Sequence, residues 1–147
     1  MTTRTARTAW TGTLPEGSGR TELASSGLGT FDVSWPKRVS DTAESSTSPE
    51  ELVAAAHASC YAMAFSGVVA RAGGTPQSVD VTADVGFGPD QERGGFMITG
   101  IKLTVRARVD GLDAEGFQKA AADAKAGCPV SKALAGVDIS LDASLEQ

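Results

Sequence analysis

The chain of 147 residues contains two cysteines, Cys60 and Cys128, and a single histidine, His57. Thiols react as thiolates, so the question for each cysteine is what lowers its pKa. Cys60 stands in Ala-His-Ala-Ser-Cys-Tyr-Ala-Met, an alanine-rich setting in which an isolated thiol serves as a small buried hydrophobe. Cys128 stands in Gly-Cys-Pro-Val-Ser, where the proline suits a helix start and the sulfur would lie beside unpaired N–H groups that favour a thiolate. Two cysteines, each tied to a helical feature, read as a dithiol that can bind metal, form a redox couple, or simply pack. Zinc takes four N or S ligands, and the chain has no Cys-x-x-Cys and no His-x-x-x-His. Neither a metal nor another cofactor is expected. A Cys-His hydrolase would use His57, one helical turn before Cys60, but that spacing orients the ring poorly and no glycine-rich oxyanion loop adjoins Cys60. Redox chemistry needs only the two sulfurs and a way of lowering one pKa.

A thiolate that attacks a peroxide also gains from a cation, and arginine offers permanent charge in a planar fork of donors. Arg38, in a polar segment that feeds a long helix, is the best placed candidate. Glu50 and Glu51 at the start of that helix could clamp it. Glu51 follows Ser48 by three positions and completes a capping box, which leaves Glu50 freer to hold Arg38. Favourable charge at a helix N-terminus would explain both glutamates without any site.

The elements that must position these residues follow from periodicity and punctuation. Short alternating segments within residues 3–34, broken by glycines, predict two or three antiparallel strands in a meander. Residues 36–48 have almost nothing to bury and predict a mobile surface loop. Ser48 and Pro49 then open a helix that Gly73-Gly74 and Pro76 close, a run of about 22 residues spanning roughly 33 Å. Leu52, Ala56, Cys60, Met63 and Gly67 form one stripe on it, and Val53, Ala54, Ala64 and Val68 make other faces apolar too. Strand alternation marks 78–87, 96–109 and 137–145, with a hairpin connection between the first two; helices are expected over 113–126 and 128–134. The result is an α+β fold in one domain, 1–147. A helix apolar nearly all round needs cover on every side, so a second subunit is expected to supply part of it.

Composition excludes several classes of function. Apolar residues at 41% and charged residues at 21% describe an ordinary globular chain, and aromatics at 5% argue against stacking on bases or sugars. Thirteen Lys and Arg against 18 Asp and Glu leave a net charge of -5 with the basic residues scattered, so neither nucleic acid nor an anionic membrane is an expected partner. The N-terminus has no apolar core of a secretory signal, and the weakly polar run 52–70 reads as a buried helix of a soluble protein. A cytoplasmic location is the expectation, and a permanent disulfide is not.

The stretches 48–60 (Ser-Pro-Glu-Glu-Leu-Val-Ala-Ala-Ala-His-Ala-Ser-Cys) and 125–134 (Lys-Ala-Gly-Cys-Pro-Val-Ser-Lys-Ala-Leu) resemble the OsmC and Ohr family of bacterial thiol peroxidases. The intervening Val-Thr-Ala-Asp-Val and Gly-Phe-Met-Ile-Thr-Gly-Ile match as well, so the likeness runs from Trp10 onward. The Ala-Ala-His-Ala-x-Cys form is closer to the OsmC branch. The resemblance implies an intertwined homodimer with antiparallel sheets around long buried central helices. It also implies that Cys60 is the peroxidatic and Cys128 the resolving cysteine, with Arg38 as the active-site cation and Glu50 as its holder. The segment between Arg38 and Pro49 is slightly longer than the family pattern, which makes Lys37 and Arg20 the fallback cations.

The implied activity is reduction of organic hydroperoxides, and of hydrogen peroxide, in oxidative stress defence. Cys60 becomes a sulfenic acid, condenses with Cys128 to a disulfide, and is restored by an external dithiol, for which a lipoyl-type dithiol is a candidate. Met63, Phe65 and Tyr61 near Cys60 are expected to favour alkyl hydroperoxides. The alternatives are a non-catalytic dimer that responds to redox state or binds a small ligand, and the Cys-His hydrolase.

Overall fold

The computed structural model describes residues 1–147, which divide into two compact units, Met1–Leu52 and Val53–Gln147. The first unit holds the expected meander. Strands β1 (Arg7–Thr11), β2 (Ser18–Glu22) and β3 (Thr30–Val33) form an antiparallel sheet in the order β1-β2-β3. The polar segment that follows is not wholly a loop. Ser34 accepts a hydrogen bond from the Lys37 N–H and Pro36 fits the first turn, so Trp35–Arg38 forms the short helix α1. The connection after α1 is pinned at its end, where the Thr47 N–H and the Ser46 hydroxyl both donate to the Asp32 carbonyl at 2.9 Å.

Helix α2 (Pro49–Arg71) begins in the first unit and runs through the second. Its start is capped by Ser48, which accepts from the Glu51 N–H at 3.1 Å. The other half of the capping box is altered: the Glu51 carboxylate accepts from the Thr47 hydroxyl at 2.6 Å. Gly73, at φ +88, takes the left-handed conformation that ends the helix.

The second unit is built on strands β4 (Thr75–Pro89) and β5 (Phe96–Asp110), a long antiparallel hairpin. Its turn is closed by the Asp90 carboxylate, which accepts from the N–H groups of Glu92 and Arg93. Helices α3 (Ala114–Gly127) and α4 (Pro129–Ala133) then lead to β6 (Ile139–Leu145). One feature corrects the expectation of purely antiparallel sheets: β6 pairs with β5 in parallel, from Ile101 against Ile139 to Ala107 against Leu145. The α3–α4 crossover makes this possible, because it returns the chain to the end of the sheet where β5 began.

The core of this unit lies between the sheet and the helices. Leu103, Val105 and Ala107 of β5 share it with Phe117, Ala120, Ala121 and Ala124 of α3 and with Tyr61, Phe65 and Val69 of α2. Phe65 stacks on Tyr61 and meets Phe117 edge-on with ring centres 5.5 Å apart. The buried stripe of α2 is therefore the one carrying His57, Tyr61, Phe65 and Val69, whereas Met63, on the stripe read from sequence, is 70% exposed. By length and apolar character α2 could also cross a membrane. The core helix of a soluble protein meets the same description, and the ring packing fits α2 to that role.

Candidate active site

In the first unit α1 ends on Arg38, and the first turn of α2 carries Glu50. The Arg38 Nε donates to both Glu50 carboxylate oxygens at 3.2 Å, and its Nη2 donates to Oε1 at 2.7 Å. The Glu50 side chain is 8% exposed and that of Arg38 31%, so the pair is held partly out of water. A fork bound through two nitrogens has its plane fixed as well as its position. Glu51, engaged with Ser48 and Thr47, takes no part. The fallback cations stand elsewhere: Arg20 pairs with Asp32 at 3.4 Å and Lys37 with Glu44 at 3.9 Å, both on the surface. Beside Arg38 lies an apolar cleft of about 380 Å3 walled by Trp10, Leu14, Val33, Trp35 and Leu52.

In the second unit the two cysteines come together. Cys128 is the joint between two helices: its N–H donates to the Ala124 carbonyl and closes α3, while its own carbonyl accepts from Lys132 and opens α4. That joint brings its Sγ to 3.2 Å from the Sγ of Cys60 on α2, and both cysteines are free thiols. Cys128 is fully buried and Cys60 half-buried.

The two sulfurs titrate as a pair. When both are thiols, Cys128 donates to Cys60. Burial pushes the Cys60 thiol up, the neighbouring Cys128 pushes it further, and the Val130 N–H only partly offsets this. Burial also acts to raise Cys128, but the Ser131 N–H, the Cys60 thiol, the Ser131 hydroxyl and the Val130 N–H outweigh it and hold Cys128 below an ordinary thiol. Cys128 closes no capping bond of regular geometry on α4, but two of these donors, the Val130 and Ser131 N–H groups, belong to the first turn of that helix.

His57 lies one turn before Cys60, yet neither ring nitrogen bonds to that sulfur. Its Nε2 meets the Ser131 Oγ at 2.7 Å, and its Nδ1 is buried without a partner. Burial lowers its pKa, so the ring is neutral at neutral pH. A hydrolase pairing of His57 with Cys60 finds no support in this arrangement. Ser131 is the residue that sequence reasoning passed over; its place three positions after Cys128, the spacing at which a residue faces a helix-capping side chain, was the available signal. Tyr61 and Phe65 are also differently placed from expectation. Both are fully buried in the core, with the Tyr61 hydroxyl donating to the Ala121 carbonyl at 2.8 Å, so neither lines an open substrate surface.

A dithiol in contact, on an α+β scaffold with a long central helix, defines a class of thiol-based redox proteins. Residues 42–142 match the OsmC-like protein family, to which the chain belongs. It is 41% identical to the peroxiredoxin OsmC of Escherichia coli (strain K12) over 137 residues, covering 93% of this chain and 92% of that protein. It is 33% identical to the organic hydroperoxide resistance protein OhrB of Bacillus subtilis (strain 168), covering 76% of this chain and 79% of that one. The crystal structure of B. subtilis OhrB superposes with a TM-score of 0.74 at 29% identity, over 95% of this chain and 98% of that one. An organic hydroperoxide resistance protein from Elizabethkingia anophelis matches equally, with a TM-score of 0.74 and 29% identity over 99% of both chains. The family membership read from the two cysteine motifs and the α+β class read from the order of strands and helices are thereby borne out.

Proposed function

We propose that the chain is a thiol-dependent hydroperoxide reductase that acts in defence against oxidative stress. The observation that carries this reading is the 3.2 Å contact between the free thiols of Cys60 and Cys128, in a chain whose relatives bear the names peroxiredoxin and organic hydroperoxide resistance protein. In the proposed cycle the Cys60 thiolate attacks the outer peroxide oxygen, the O–O bond breaks, and alcohol or water leaves as Cys60 becomes a sulfenic acid. Cys128 attacks that sulfur, water departs, and the resulting disulfide is reduced by an external dithiol, a lipoyl-type one being our candidate.

The surroundings of Cys60 raise its pKa, so a cation is required, and Arg38 clamped by Glu50 is the one we assign. The apolar cleft beside Arg38 supports an organic hydroperoxide as the favoured substrate in place of the aromatic residues first expected to do so. The exposed Met63 on α2 supports a homodimer in which a second α2 covers it, and the whole chain then acts as one functional domain. A cytoplasmic location fits two reactive thiols that must remain reduced.

The test is intact mass and free-thiol count before and after one equivalent of cumene hydroperoxide, for the parent and for Cys128→Ser. Rapid loss of both thiols and two hydrogens in the parent, with one added oxygen on Cys60 in the variant, is expected. Slow thiol loss independent of peroxide would overturn the reading in favour of ligand binding.

A further inference from the structure

The geometry points to a positioning role for His57 in closing the disulfide: His57 Nε2–H donates to Ser131 Oγ, and the Ser131 O–H donates to the Cys128 sulfur that attacks oxidised Cys60. This inference rests on the two-cysteine peroxidase reading and assigns to that reaction two residues outside the cysteine, arginine and glutamate set. Its basis is a chain of contacts within the second unit. Ser131 is 94% buried and His57 entirely so, and they meet at 2.7 Å although 74 residues separate them. Ser131 stands three positions after Cys128 in the short helix α4, its hydroxyl is one of the groups that hold the Cys128 thiol down, and Cys128 touches Cys60.

The direction of the chain follows from proton counting. A serine hydroxyl has one hydrogen. If Ser131 gave it to the His57 ring, none would remain for the Cys128 sulfur, and the imidazole N–H would point unpartnered into the core from Nδ1. With the hydrogen on Nε2 both bonds form, and the orphan at Nδ1 is a lone pair; a buried unpaired acceptor is less rare than a buried unpaired N–H. His57 is thus a neutral donor and not a general base, in keeping with the burial that keeps its ring unprotonated. The other ionisable groups around Cys128 are Cys60 and Tyr61, and the Tyr61 hydroxyl is committed to the Ala121 carbonyl.

The step balances between the two cysteines. The Cys128 thiol gives up its proton, the resulting thiolate attacks the Cys60 sulfenic sulfur, the S–S bond forms as the S–O bond breaks, and the departing hydroxide leaves as water with the proton that the Cys128 thiol released. The Cys128 sulfur is oxidised and the Cys60 sulfur reduced. The relay makes the thiolate available and holds its sulfur against Cys60.

Stopped-flow measurement with cumene hydroperoxide, trapping the sulfenic acid with dimedone, separates the oxidation of Cys60 from disulfide closure. Loss of a hydrogen bond to a charged group should slow closure about ten- to a hundredfold in His57→Leu and Ser131→Ala, with sulfenic acid accumulating. His57→Gln, which keeps a donor near the Nε2 position, and Ser131→Thr, which keeps the hydroxyl, should restore most of the rate. Because the chain has one histidine, 15N chemical shifts of the parent read its tautomer directly, and a protonated Nε2 with a bare Nδ1 is expected. Closure at the parental rate in both Leu and Ala variants, or a ring protonated at Nδ1, would overturn the relay while leaving the peroxidase reading intact. Failure of the parent itself to oxidise Cys60 rapidly would overturn both. If His57→Leu does not fold, the Gln and Ser131 variants and the tautomer still decide.

Discussion

Cys60 and Cys128 place their sulfurs 3.2 Å apart across 68 residues of sequence, with Cys128 held at the joint of two helices. Little motion separates that contact from a covalent bond of about 2 Å. In the proposed cycle this separation lets one sulfur resolve what happens at the other. Replacing Cys60 with serine should abolish rapid peroxide consumption, and replacing Cys128 should stop the cycle after one oxygen is transferred. Thiol counting and intact mass distinguish the two results.

Arg38 and Glu50 act as a unit. If Arg38 is the cation of the proposed cycle, Arg38→Ala should slow the oxidation of Cys60 by about a hundredfold or more. Arg38→Lys should recover only part of the rate, since an ammonium cannot reproduce a fork bound at both Nε and Nη2. Glu50→Gln should resemble the lysine variant. Parental rates in Arg38→Ala would remove Arg38 from the reaction.

The single histidine sets a pH dependence with a definite sign. Its folded-state pKa lies below 6.5, so the unfolded chain binds the proton more readily. The stability that the neutral ring contributes is complete above pH 6.5 and is lost as pH falls from there through the lower folded value. Denaturant unfolding should show a fall in stability over this range in the parent that is absent in His57→Gln. Equal slopes in the two proteins would contradict the assignment of a buried neutral ring.

Tyr61 and Phe65 anchor the core. Tyr61→Phe removes the hydroxyl's bond to the Ala121 carbonyl within α3 and should cost about 0.5–1.5 kcal/mol of stability. Phe65→Ala, which empties a fully buried ring site, should cost about 3–5 kcal/mol. Thermal unfolding measures both, and the hydroperoxide preference of the folded Tyr61→Phe protein should be that of the parent.

Met63 is the probe of the proposed dimer. Light scattering of the parent should give twice the mass of one chain. Met63→Asp should shift the protein toward monomer and lower its thermal stability, because a charge replaces an apolar contact at the centre of the helix face. A monomeric parent would refute the dimer directly.

Local chemistry made much of this protein legible before any coordinates. Ser48, Pro49 and the paired glutamates announce the start of α2, alternation marks β4 and β5, and Cys-Pro places Cys128 at a helix junction, because caps and side-chain periods act within a few residues. Ser48 leaned toward leaving Glu50 rather than Glu51 for Arg38, but the choice rested mainly on the family resemblance; the ion pair itself needed the fold to bring α1 against the start of α2. Three features depended on the assembled fold. A helix apolar on nearly every side carries no record of its own rotation, so packing against the sheet chose Tyr61, Phe65 and Val69 over Met63 for the core. The direction of β6 was set by the crossover through α3 and α4, which alternation within the strand cannot report. The bond between His57 and Ser131, like that between the two sulfurs, joins residues about half the chain apart. Such contacts exist only once β5, α2 and α3 have closed around one core.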